Sequence, residues 1–166
     1  MSDEEKATLV PTSSMNFEKQ VLILRAYVVL TKMGVEPVHY KRVMTATRLA
    51  RSQISGVNSF FLGLGFLRKV DKGTYLPAEA VVRFYSDRHG DEDYSALKQT
   101  LVNSALHERV KGMVLIHGGA TEQELVDYLL EESGEKTRSR ARRALDWLER
   151  TNLIMIDEDG SVRLLE

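Results

Sequence analysis

Side chains able to do chemistry on their own are sparse in this chain. His39, His89, His107 and His117 form no i, i+4 pair and no carboxylate-linked ligand pattern, so no metal site is expected. Ser95 and Lys98 have S-x-x-K spacing without the companion motifs of that chemistry. Gly134-Glu135-Lys136-Thr137 has the Lys-Thr end of a phosphate loop, but Glu stands before the Lys and no upstream Gly sits at the required spacing. Gly63-Leu64-Gly65 precedes a strand pattern where a dinucleotide site needs a helix, and His117-Gly118-Gly119 lacks a nucleophile elbow. No acid, base and nucleophile assemble, and the expectation is a non-enzyme without cofactor or metal. Cysteine is absent, which excludes disulfides and thiolate ligation and fits a reducing interior.

What remains is the chemistry of cations and amides. A first group comprises Lys41, Arg42, Arg48, Arg51, Ser52, Gln53, Ser55, Asn58, Arg68, Lys69 and Lys72. Its cations are suited to replacing counterions along a phosphate backbone, Gln53 and Asn58 carry the donor–acceptor pair that matches adenine, and Ser52, Ser55 and Gly56 permit close approach. A second group, Lys136, Arg138, Arg140, Arg142 and Arg143, loads a helix start with positive charge, which is unfavourable unless an anion is near. That anion is either phosphate or the carboxylates of Glu122, Glu124, Asp127, Glu131 and Glu132, and the nearby Asp157-Glu158-Asp159 would repel phosphate. The charge is split along the chain: residues 1–86 carry 12 Lys and Arg against 7 Asp and Glu, residues 87–166 carry 11 against 17. Two halves of opposite sign face different partners or each other, unless the split is only drift of solvated surfaces.

The elements that must position these groups recur. Arg51 to Gly73 falls without a gap on Arg138 to Gly160, 87 positions later, sharing Arg51/Arg138, Ser52/Ser139 and Gly73/Gly160. Each copy reads as a helix, a residue tolerant of positive φ (Gly65, Asn152), a strand, a tight turn and a strand. Upstream of the first copy the spacing predicts helices from Phe17, capped by Asn16, to about Lys32 and from about His39 to Ala46, with Val35 to Val38 an edge strand or connector. Ala78 to Tyr85 reads as a further short helix, whose Val81, Val82, Phe84 and Tyr85 either pack inward or form a dimer seam. In the second half, Tyr94 to His117 is helical with an undecided break near His107 or Gly112. Thr121 and Glu124 make a capping box, Ser133-Gly134 stops that helix, and Thr137 is placed to cap the next. Phe60 and Trp147 occupy aligned positions and are expected in the core.

Helices followed by a β-hairpin, with the second and third helices joined by a short turn, resemble the winged helix-turn-helix superfamily, here stated twice. The resemblance rests on topology and identifies no narrower family. It implies a mainly α fold with small β-hairpins (α+β) in two tandem winged-helix domains, over 16–86 and 94–166; residues 1–15, without periodicity and with Pro11 and several Ser and Thr, read as a mobile tail, and the polar, charged 87–93 as a linker. It further implies that the third helix enters the DNA major groove while the hairpin wing touches phosphate, which would assign Arg51, Ser52, Gln53, Ser55 and Asn58 to the recognition helix and Arg68, Lys69 and Lys72 to the wing. Arg138, Arg140, Arg142 and Arg143 hold the corresponding helix of the second copy. The expected function is double-stranded DNA binding in transcription regulation or chromatin association. The alternative is an adaptor that binds a protein partner or a second copy of itself. RNA binding is weaker, because exposed aromatics for unpaired bases are not identified. The acidic N-terminus lacks signal-peptide order and no apolar run approaches a membrane span, so a cytoplasmic (nucleoid-associated, if prokaryotic) protein without membrane contact is expected.

Overall fold

The structure is a computed structural model that describes residues 7–85 and 92–165. Residues 1–6 of the expected tail and 86–91 around the expected linker lie outside the described residues. The first half runs α1 (Phe17–Leu30), β1 (Val38–His39), α2 (Tyr40–Thr47), α3 (Arg51–Leu64), β2 (Leu67–Asp71), β3 (Thr74–Pro77) and α4 (Glu79–Tyr85). After a 3-10 turn at Tyr94–Leu97 and the short α5 (Lys98–Val102), the order returns as α6 (Ala105–His117), β4 (Ala120–Thr121), α7 (Glu122–Ser133), α8 (Arg138–Arg150), β5 (Ile154–Ile156) and β6 (Ser161–Leu164). The fold is mainly helical with two small antiparallel sheets, in the orders β1-β3-β2 and β4-β6-β5.

Local sequence accounts for most boundaries. The Asn16 side chain accepts the Lys19 amide at 2.9 Å and starts α1. That helix ends at Thr31, earlier than the sequence pattern extends it, where the Thr31 hydroxyl turns back to the Tyr27 carbonyl and the chain enters positive φ at Lys32. The long apolar stretch 94–117 breaks at Asn103–Ser104: Ser104 Oγ accepts the His107 amide and starts α6, whereas Gly112 sits undisturbed inside that helix. Thr121 and Glu124 form a reciprocal capping box at α7, at 3.1 and 2.9 Å. Thr137 holds the N-cap position of α8 but makes no side-chain cap bond.

The repeat extends to the backbone pairing at the helix starts, although β2 shifts register between Lys69 and Asp71 while β5 pairs with β6 without a shift. In the first sheet His39 pairs with Thr74 and the Tyr40 amide donates to the Gly73 carbonyl at 2.9 Å; in the second, Thr121 pairs with Ser161 and the Glu122 amide donates to Gly160 at 2.7 Å. His39 and Thr121 are therefore equivalent, as are Lys72 and Asp159 at the two hairpin tips.

One hydrophobic cluster runs through both halves. Its hinge point is Trp147 of α8, fully buried against Phe17 (ring centroids 4.6 Å apart), Phe66 (5.2 Å) and Phe61 (5.9 Å) of the first half. Its indole N–H donates to Gln20 Oε1 at 2.7 Å, which satisfies both buried polar groups. Phe60 is buried within the same cluster. Val81 and Phe84 pack inward, with Phe84 edge-on to Tyr94 at 5.0 Å.

Residues 7–15 differ from the mobile tail expected of them. They lie along α3, with the Thr8 amide donating to Ser59 O at 3.0 Å, the Thr12 amide to Gly56 O at 3.2 Å, and Val10 and Met15 buried. The reason is legible afterwards: the small residues Gly56, Ser59 and Gly63, spaced 3 and 4 apart, make a groove on α3 into which a backbone fits. A Cβ on Gly56 would come within 2.8 Å of Ser13, and one on Gly63 within 2.5 Å of the Thr8 carbonyl oxygen.

Candidate nucleic-acid interface

In the first half, β1, the starts of α2 and α3 and the β2–β3 hairpin converge on one cleft of about 550 Å³, lined by His39, Tyr40, Lys41, Arg51, Lys69, Lys72 and Gly73. The pairing of β1 with β3 and the Tyr40–Gly73 hydrogen bond hold the start of α2 against the hairpin tip, so Lys41 lines the same cleft as Lys69 and Lys72. Arg51, at the first turn of α3, lies with its guanidinium 5.7 Å from the centre of the Tyr40 ring, and His39 stacks on Tyr40 at 4.6 Å. Stacking on the ring keeps the guanidinium edge available for an anion. Lys41, Arg51 and Lys69 form no ion pair among the described residues, nor do Arg42, Arg48 and Arg68, which are exposed on α2, at its end and on β2. The neighbouring carboxylate, Asp71, accepts the Lys72 backbone amide at 2.8 Å.

The equivalent cleft of the second half, about 700 Å³, is lined by Thr121, Glu122, Gln123, Val126, Arg138, Ser139, Arg142, Arg143, Asp159 and Gly160. Gln123 replaces Lys41, Glu122 replaces Tyr40 and Asp159 replaces Lys72. Its cations are consumed internally. Arg142 pairs with Glu122 (2.5 Å), Asp146 (2.5 Å) and Glu149 (3.2 Å), Arg138 with Asp127, Arg140 with Glu135 (2.7 Å), and Arg143 with Asp146 (3.1 Å). Burial pulls the Arg142 pKa down, but Asp146, Glu122 and Glu149 together hold it above its ordinary value. Burial raises Asp146 above the usual carboxylate range in spite of Arg142 and Arg143. Asp159 is held below that range by the Ser161 amide, which keeps the second hairpin tip anionic. Of the two partners open to these arginines, carboxylates of the same chain occupy them.

The amide readers expected on α3 are differently placed. Asn58, expected to face the groove, is instead 0% exposed, and its Nδ2 donates to Tyr27 Oη at 2.8 Å inside the core. It lies four residues after Ile54 and three before Phe61, both core residues, so helical phase turns it inward. Gln53 is half-buried and its Oε1 accepts the Ala50 amide at 2.9 Å, serving the helix start. Ser52 is exposed and Ser55 partly so. Tyr40 and His39, which shape the cleft, were not singled out for it in the sequence; the signal available was an aromatic beside Lys41 at a helix start. Comparison with protein-family models, with curated proteins and with solved structures finds no match.

Proposed function

We propose that the chain is a pair of winged-helix units that binds double-stranded DNA through the first unit, with the starts of α2 and α3 and the β2–β3 hairpin as the contact surface. The observation that carries this reading is the cleft in which Lys41, Arg51 and Lys69 converge from three elements without a carboxylate partner among the described residues. Leaving several like charges together costs free energy unless a polyanion shares them, and a phosphate backbone supplies anions at the required density. The winged-helix part of the reading is supported by the twice-stated order of helix, strand, helix, helix and hairpin. In the second unit the matching cleft is neutralised from within, so the two copies have different tasks.

Duplex DNA titrated at several salt concentrations tests this. Three to four phosphate contacts give a slope of log affinity against log salt of about −3 to −4. Lys69→Ala and Lys41→Ala each reduce that slope by about 1. Absence of binding at low salt, or binding without a slope, removes the proposal.

A second reading, a protein-interaction adaptor, is favoured by one observation in the second unit: Leu115 and Ile116 at the end of α6 are 63% and 78% exposed, on the half that carries the acidic excess. Light scattering of wild type and Ile116→Ser separates it, since an assembly seated there loses mass in the variant.

A further inference from the structure

Resting on the DNA-binding reading above, we propose that the first unit takes duplex DNA without regard to base sequence, holding phosphates and not reading base edges. Three observations on α3 carry this. Asn58, whose amide could match adenine, is locked in the core on Tyr27 Oη. Gln53 spends its carbonyl oxygen on the Ala50 amide, so the paired donor and acceptor that an adenine edge requires are no longer both available. The third observation concerns space. Residues 8–13 run along α3, bonded to it at Ser59 O, Gly56 O and, through Ser13 Oγ, at Gln53 O (3.2 Å).

A helix with its side chains is about 10–12 Å across, and the major groove of B-DNA is about 12 Å wide. Ile54, Val57, Phe61 and Leu64 turn one side of α3 into the core and the strap covers Gly56 and Ser59 on another, so α3 has no bare side to lie lengthwise in a groove that admits one helix. Along α3 only Arg51 and Ser52 are exposed, and of these Arg51 lines the cleft with Lys41, Lys69 and Lys72. Contacts from these cations to phosphate position the protein but carry no direct sequence information.

The test is selection from a randomised duplex pool with the full chain at fixed salt, followed by anisotropy titration of several unrelated duplexes, A·T-rich and G·C-rich included. The expected result is no enriched motif and dissociation constants that agree within about threefold. Arg51→Ala and Lys69→Ala are expected to lower affinity for every duplex by a common factor, within twofold. An enriched motif, or a preference of tenfold or more among duplexes, overturns sequence neutrality while leaving DNA binding in place. Failure to bind any duplex at low salt removes both.

Discussion

Asn58 shows how one side chain changes role between sequence and structure. As a residue on the polar side of a Ser- and Gly-rich helix it resembles a base reader; in the fold it is a core amide whose Nδ2 is bonded to Tyr27 and whose Oδ1 has no partner among the described residues. Asn58→Asp would place a carboxylate in that site. We expect a loss of about 2 kcal/mol or more in urea unfolding, because a buried carboxylate is either ionised without solvation or protonated at a cost. A groove-facing residue would accept the change with little effect on stability. His107 offers a second residue-scale test. Burial lowers its pKa below the ordinary value, with the Val102 carbonyl opposing and Lys111 adding to the shift. A folded pKa below the unfolded one means the unfolded chain binds more protons. Its contribution is present above the unfolded value, near 6.5, and is lost as pH falls through the folded one. Urea midpoints measured from pH 7 to pH 5 should decline in wild type, and the decline should be shallower in His107→Gln.

At the level of elements, the packing of 7–15 on α3 depends on missing side chains. Gly56→Ala raises helix propensity by about 1 kcal/mol, yet its methyl would stand 2.8 Å from the Ser13 backbone nitrogen. The strap must shift. We expect a net loss of about 1–3 kcal/mol together with faster proteolysis within residues 7–15, and unchanged cleavage there would contradict the packing argument. The two hairpins make a complementary case. They share register down to the Tyr40–Gly73 and Glu122–Gly160 hydrogen bonds, but Lys72 stands at one tip and Asp159 at the other. The same backbone pairing thus carries opposite charge at the two tips.

For the whole molecule, Trp147 is the structural link. The chain has a single tryptophan, and it belongs to α8 by sequence but packs on Phe17, Phe61 and Phe66. Truncating it to Ala should cost about 3–5 kcal/mol. Because one cluster runs through both halves, unfolding followed by Trp147 fluorescence and by far-ultraviolet circular dichroism should coincide in one transition. Two separated transitions would mean that the halves unfold independently. Among the described residues no helix is long and apolar enough to cross a membrane.

The helical and hairpin order, the 87-residue repeat, the caps at Asn16 and Thr121, and the gathering of positive charge in the first half are all legible in the amino-acid order. These are local or periodic properties: side-chain spacing sets helix phase, and a cap needs only its neighbours three residues on. Three other matters depend on long-range packing. It placed the segment 7–15 in the groove of α3, because a small-residue face is equally suited to DNA, to another chain or to the protein's own backbone. It paired Arg142 with Glu122 and Arg138 with Asp127 across from α7, contacts that spacing does not bring together, whereas Arg142 and Arg143 reach Asp146 within α8 itself. And it joined Lys41, Arg51 and Lys69 into one cleft, a convergence that follows from β1 closing on β3 and is encoded in no short stretch of the chain.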